Sequence, residues 1–248
     1  MPKLLTYGCS FTDYDWSTWA NILAKNFNYK LEQKGRQGCG NNFIAYRIKE
    51  DIQDKLITSA DRVRIMWCYF NRISDIKGPH TFSSIPETHN PIKKEKNARD
   101  NCKIIIETEK ILLDNGIDYD FLSWLPLPKN SDKFLKEKLV KTIKPPVYTV
   151  VFKDSWMSRT DRAIRIDNET PKLLTKRLYQ FAKQKNISII ELIRNHSPHH
   201  KLEPFYDLHP TPLHHLEYLQ SIYPDLSWDT ELIAEINREN QEVLSKVW

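Results

Sequence analysis

Short strand-like apolar runs alternate with stretches of helical spacing about five times along this chain of 248 residues, and no other feature limits its fold as strongly. Residues 3–7 (KLLTY) read as a buried strand, and from Trp16 onward Trp19, Ala20, Leu23, Ala24 and Phe27 recur at helical spacing. A short second strand over 29–32 leads through Gly35, Gly38 and Gly40 into a helix whose Phe43, Ile44, Ile48 and Ile52 share a face. Residues 63–69 (VRIMWCY) predict a third strand, 104–113 a helix ending near Gly116, and 119–124 a fourth strand stopped by Pro126 and Pro128. Leu173, Leu174, Leu178, Phe181 and Ala182 mark another helix, 187–192 a fifth strand, and two helices close the chain. The alternation predicts one α/β domain over 1–248, a three-layer α/β/α sandwich around a five-stranded, mostly parallel sheet.

Two segments interrupt the rhythm. Residues 77–98 are polar and punctuated by proline, and 128–170 combine lysines, Pro145-Pro146 and a β-like run over 147–152. Both follow the carboxyl ends of strands, the edge at which open α/β sheets bind ligands. They are expected to be insertions that shape a pocket or serve as partner-binding arms.

Composition narrows the class further. With 40% hydrophobic residues the chain can bury a sizeable core. The net charge of +5 resides in part in solvated stretches such as Lys93-Lys94-Glu95-Lys96. No motif with aromatic platforms accompanies it, so nucleic acid is not an expected partner. Cys9, Cys39, Cys68 and Cys102 form no CxxC pair and no disulfide framework, which fits reduced thiols in a cytoplasmic setting. Leu4-Leu5 is too short for the apolar core of a signal peptide, and no run reaches membrane-span length. No membrane association is expected.

The residues able to carry chemistry fall at strand–helix junctions. "GCSFTD" follows the first strand, and Ser10 there has two readings. Ser10-Phe11-Thr12-Asp13 matches a capping box, in which a serine hydroxyl satisfies a helix amide. Alternatively Ser10 is a nucleophile, which needs a base from elsewhere in the fold. "YDLHPTPLHH" (206–215) follows the fifth strand and supplies one: His209 can take the serine proton and return it to the leaving group, with Asp207 to orient the ring. "GRQGCGNN" (35–42) sits at the second junction, where glycine-rich backbone amides at a helix start suit an oxyanion, or simply make a capped turn.

Gly8-Cys9-Ser10-Phe11-Thr12, Gly38 after the second strand, and Asp207-x-His209-Pro210 near the C-terminus together resemble the SGNH (GDSL-like) hydrolase superfamily. "GCSFT" and "HPTPLHH" are most similar to the subgroup common in bacteriophage genomes. The resemblance implies a flavodoxin-like SGNH hydrolase fold and ester hydrolysis through a serine acyl-enzyme, with no metal or other cofactor. It implies Ser10 as nucleophile, His209 as base, and the Ser10 and Gly38 amides as oxyanion donors. The location it implies is the cytoplasm, of a host cell if phage-encoded, or the virion. Two blocks depart from the family pattern. The aspartate usually stands three residues before the histidine; Tyr206 occupies that position and Asp207 lies one residue nearer. The block usually reading Gly-x-Asn-Asp is here 67–72 (WCYFNR), so the third oxyanion donor falls to Asn71, Asn41 or Asn42.

Arg72, at the end of a central strand, could clamp a carboxylate, a phosphate or a sugar hydroxyl, or sit in a surface salt bridge. His196, His199, His200, His209, His214 and His215 cluster without the spacing of a common zinc motif. His215 is expected to pack at the start of the following helix. Trp16, Trp67 and Trp124 are either core residues or walls of a sugar-binding cleft. The expected function is a serine esterase acting on small acyl esters, such as O-acetyl groups on carbohydrate. The alternatives are a non-catalytic module of the same fold that binds a glycan or protein, and a metal-dependent hydrolase built on the histidines.

Overall fold

The computed structural model describes residues 3–70, 72–78, 81–85, 91–152 and 209–247. Four strands, β1 (Lys3–Tyr7), β2 (Lys30–Gln33), β3 (Arg62–Trp67) and β6 (Asp118–Ser123), form a wholly parallel sheet in the order β2-β1-β3-β6. The period-two alternation of strands divides their side chains between two cores. Leu5, Tyr7, Val63, Ile65, Trp67, Tyr119 and Phe121 serve one face, and Leu4, Met66 and Leu122 the other.

Helices cover both faces. On the first lie α2 (Asn41–Gln53), α3 (Pro91–Asp114) and α4 (Lys129–Lys138), which bury Phe43, Ile48, Ile105, Leu112 and Leu135. On the second lie α1 (Trp19–Phe27), α5 (Val147–Phe152), α6 (Pro212–Ile222) and α7 (Thr230–Val247), which bury Trp19, Leu23, Val147, Leu219 and Ile236. The architecture is the α/β/α sandwich expected from the alternation. The strand expected at 187–192 and the helix at 173–182 lie outside the described residues.

Two local expectations are corrected. Around the expected insertion at 77–98, β4 (Ile73–Gly78) and β5 (Thr81–Ile85) pair antiparallel, and 91–98 are the opening turns of α3. That helix begins well before residue 104 because its first turns are held by charged pairs rather than by an apolar stripe. Lys96 meets Asp100 at 2.7 Å and Arg99 meets Glu95 at 4.0 Å, both at i,i+4. The run 147–152 is helical despite its β-branched residues. Pro146 stands just ahead of its first residue, where a fixed φ suits a helix start, and Val147 is fully buried.

The end of β1 is anchored by a buried polar knot. The Tyr7 hydroxyl donates to Asp51 Oδ2 at 2.7 Å, and Arg47 donates to Asp51 Oδ1 at 3.0 Å. Asp51 is 1% exposed. Burial, and then the adjacent Asp51 carboxylate, push the Tyr7 phenol far above its ordinary range, so it stays a donor. Asp51→Ala removes the buried acceptor shared by the Tyr7 hydroxyl and Arg47. It is expected to lower stability by about 3 kcal/mol in chemical denaturation, and a loss under about 1 kcal/mol would contradict this account.

Candidate active site

Gly8, Cys9 and Ser10 leave the carboxyl end of β1, and the chain turns at once. The N–H groups of Thr12 and Asp13 both donate to the Cys9 carbonyl, at 2.9 and 3.3 Å. The turn closes well before α1, which starts at Trp19 behind its own N-cap, Thr18, whose N–H donates to Asn21 Oδ1 at 3.0 Å. The capping-box reading of Ser10 and Asp13 is thereby corrected: Ser10 caps no part of α1. It lies half-buried at the sheet edge.

His209 reaches the same place from nearly two hundred residues away. Its ring stacks on Tyr14 with centroids 3.8 Å apart and lies 4.9 Å from the ring of Phe11. Phe11 stacks in turn on Trp124, at 3.6 Å, at the end of β6. The indole N–H of Trp16 donates to the Pro210 carbonyl at 2.8 Å. The loop carrying Ser10 and the loop carrying His209 are therefore joined both by ring contacts and by a hydrogen bond. Sequence reasoning missed Phe11 and Tyr14 as the cradle of the histidine; the aromatic spacing around Ser10 in "SFTDYDW" was the available signal.

The segment after His209 is stiff. Thr211 caps α6, Pro212 opens it, and the Thr211 N–H donates to His214 Nδ1 at 3.2 Å. His215, in the first turn, is 1% exposed. Burial, then the neighbouring His214 and His209, depress its pKa to about 3, so this imidazole is neutral packing beside His209.

The second junction is held by two asparagine side chains that behave like backbone. The Cys68 N–H donates to Asn41 Oδ1 at 2.7 Å, and Asn41 Nδ2 donates to the Cys68 carbonyl at 3.4 Å. Asn42 makes the same reciprocal pair with Ser74, at 2.9 and 2.7 Å. Asn41 is 0% exposed. Each amide thus gives its oxygen and one N–H to the backbone of Cys68 or Ser74, a structural use of the two asparagines expected as oxyanion donors. Gly38 has φ 75°, reached without strain only by glycine, in the tight turn that the Cys39 N–H closes on the Arg36 carbonyl at 3.2 Å. A Cβ on Gly40 would stand 2.7 Å from the Arg72 carbonyl oxygen, so the two loops touch backbone to backbone.

Arg72 lies over the Tyr69 ring at 5.8 Å, on the loop that Asn41 and Asn42 grip. Trp67 and Trp124 are core residues, 0% and 2% exposed, not cleft walls. Asn71, Asp207, His196, His199 and His200 lie outside the described residues. Among the described residues no group of three or more His, Cys, Asp or Glu side chains could hold a metal ion. No described helix is long and apolar enough to cross a membrane.

Cys9, next to Ser10, is not an alternative nucleophile. It is buried, as are Cys39 and Cys68, and Cys39 Sγ donates to the Gly8 carbonyl at 3.4 Å. Burial pushes the Cys9 and Cys68 thiols well above their ordinary range, which keeps them protonated and inert.

No protein-family model matches the chain, and no curated protein matches it either. Among solved structures, similarity extends to a member of the lipolytic G-D-S-L family from Veillonella parvula. The identity is 14% and the TM-score 0.41, over 62% of this chain and 81% of that one. The protein YXIM_BACsu from Bacillus subtilis aligns at 11% identity and TM-score 0.40, over 58% of this chain and 44% of that one. An acetyl xylan esterase (Est2A) from the rumen bacterium Butyrivibrio proteoclasticus aligns at 14% identity and TM-score 0.37, over 59% and 56%. The chain thus spans about half the length of two of these three structures.

The depressed pKa of His215 has a measurable sign. Its folded value, about 3, lies below the ordinary histidine value of 6.5, so the unfolded chain takes up the proton first. The stability gained from the neutral ring is complete above pH 6.5 and is lost as pH falls toward 3. The loss is at most on the order of 5 kcal/mol. His215→Leu is expected to flatten the fall of the melting temperature between about pH 7 and pH 4; parallel curves for the two proteins would contradict the assignment.

Proposed function

We propose that this chain is a serine esterase in which Ser10 is the nucleophile and His209 the general base. The supporting observation is the packing of the His209 ring against Phe11 and Tyr14, the aromatics that flank Ser10, across a loop junction fixed by Trp16 and Pro210. This arrangement supports the reading because a hydroxyl and an imidazole must share one small region for a proton to pass between them. The Ser10 hydroxyl attacks the acyl carbon while His209 accepts its proton. The tetrahedral oxyanion is held by the Ser10 and Gly38 amides, Gly38 lying in a turn at positive φ. His209 then protonates the departing alcohol, and water attacks the acyl-serine by the reverse route.

Asp207 is the proposed orienting carboxylate and Asn71 the proposed third oxyanion donor; Arg72 is proposed to contact the substrate. The substrate proposed is a small acyl ester, with O-acetyl groups on carbohydrate the first class to test. The whole chain, 1–248, is read as one domain.

Ser10→Ala is expected to lower hydrolysis of p-nitrophenyl acetate by about a thousandfold or more. His209→Ala should do nearly the same, and the double variant should be scarcely worse than either, since the two side chains act as a unit. A fluorophosphonate probe should label Ser10 in the wild type. If Ser10→Ala retains full activity, or the wild type neither turns over short-chain esters nor takes the label, the catalytic reading falls and a non-catalytic binding module replaces it.

A further inference from the structure

A cavity of about 850 Å³ opens beside the candidate active site, within the range of small-molecule binding pockets. It adjoins the site through Cys68 and Tyr69, the residues between the Asn41 grip and Arg72, and through Leu125, which follows the Trp124 stacked on Phe11. Its outer wall is the amino-terminal half of α3. Asn101 on that helix is 1% exposed and ties it to the site loop, with Nδ2 donating to the Phe70 carbonyl at 2.6 Å.

The lining has two chemistries. Leu125, Pro126, Leu127, Pro128 and Phe134 make an apolar side, and the small Ala98 and Cys102 on α3 leave room opposite them. Lys94, Arg99, Lys103 and Lys129 also line it, against the single carboxylate of Glu95. Glu95 faces Arg99 at 4.0 Å, and the other nearby acid, Asp100, is held by Lys96 at 2.7 Å. Lys94, Lys103 and Lys129 have no carboxylate within ion-pair distance among the described residues. Their aliphatic stems can lie along an apolar ligand while the ammonium groups meet a negative end. Solvated lysines alone would be an ordinary helix face. Four cations gathered around an apolar cavity that reaches the loop residues Cys68 and Tyr69 are not.

We propose that this cavity binds the non-reacting part of the substrate, and that the ester is an amphiphilic anion, its apolar body carrying a carboxylate or phosphate, rather than an acetylated carbohydrate. This rests on the esterase reading for the identity of the ligand as substrate, whereas the binding itself does not. Two experiments separate the two.

Binding is measured by calorimetry on the Ser10→Ala protein, so that turnover plays no part. Octanoate and octyl phosphate are expected to bind, and octanol about tenfold or more weakly. Arg99→Glu with Lys103→Glu should weaken both anions by about tenfold and leave octanol unchanged. Ala98→Trp, which fills the cavity, should abolish binding of all three while melting as the parent does. Preference for octanoate over octyl phosphate, or the reverse, identifies the anionic group. Turnover is then measured on the wild-type protein with p-nitrophenyl octanoate and with the mono-p-nitrophenyl ester of suberic acid, which carries a carboxylate at the far end. The charge-reversal pair should lower kcat/KM for the suberate ester about tenfold relative to the octanoate ester. If neither anion binds, or if Ala98→Trp binds them as well as its parent, the proposal is overturned even where Ser10-dependent hydrolysis persists. If the anions bind as described and no ester is turned over, the cavity assignment stands and the esterase reading is what fails.

Discussion

Beyond Trp67 no described strand pairs with the central strand, yet the next residue, Cys68, is buried. A backbone N–H and carbonyl left unmatched there would cost on the order of 1–3 kcal/mol each. Asn41 removes that cost by offering its amide as a substitute strand, and Asn42 repeats the device one loop further on, at Ser74. The main chain is thus held at Cys68, just past the parallel sheet, and again at Ser74 in β4. Arg72, the Tyr69 ring beneath it and the Phe70 carbonyl that clamps α3 all inherit their positions from those two side chains. The close approach of Gly40 to the Arg72 backbone is possible only because this loop cannot drift.

A parallel sheet covered on both faces demands strands that are apolar on both sides, and such strands announce themselves. VRIMWC and KLLTY needed no context to be read, because nearly every residue in them is buried. The layered architecture was legible for that reason. The meeting of the loop after β1 with the loop before α6 was legible as well, because Ser10 follows a strand-like run, the sequence puts His209 after another, and all carboxyl ends of a parallel sheet share one edge. The first turns of α3 were not, since Lys96 with Asp100 and Glu95 with Arg99 stabilise a helix without leaving an apolar stripe to detect. Nor was α5, where burial of Val147 and a preceding proline override the strand preference of valine.

Side-chain roles within the site were harder to read than positions. Asn41, Asn42 and Ser10 each carry a polar group at a loop or helix start, and composition cannot separate a ligand donor from a structural clasp. The difference lies in partners: the two asparagines are spent on neighbouring backbone, while Ser10 stands apart from the first turn of α1. The same holds for the indoles. Trp67 and Trp124 are interior, whereas Trp16 uses its N–H to tie the loop after β1 to the loop before α6.

The helix α3 has 24 residues, a rod of about 36 Å, and it covers strands of six residues that run about 20 Å. The surplus projects past the carboxyl edge as a cantilever. Only its root, near Asn101 and Cys102, is embedded, so its outer turns answer to no interior packing requirement. Substitutions there can drift without loosening the sandwich, which makes the overhang the part of this molecule most open to evolutionary retuning of what the neighbouring hollow admits.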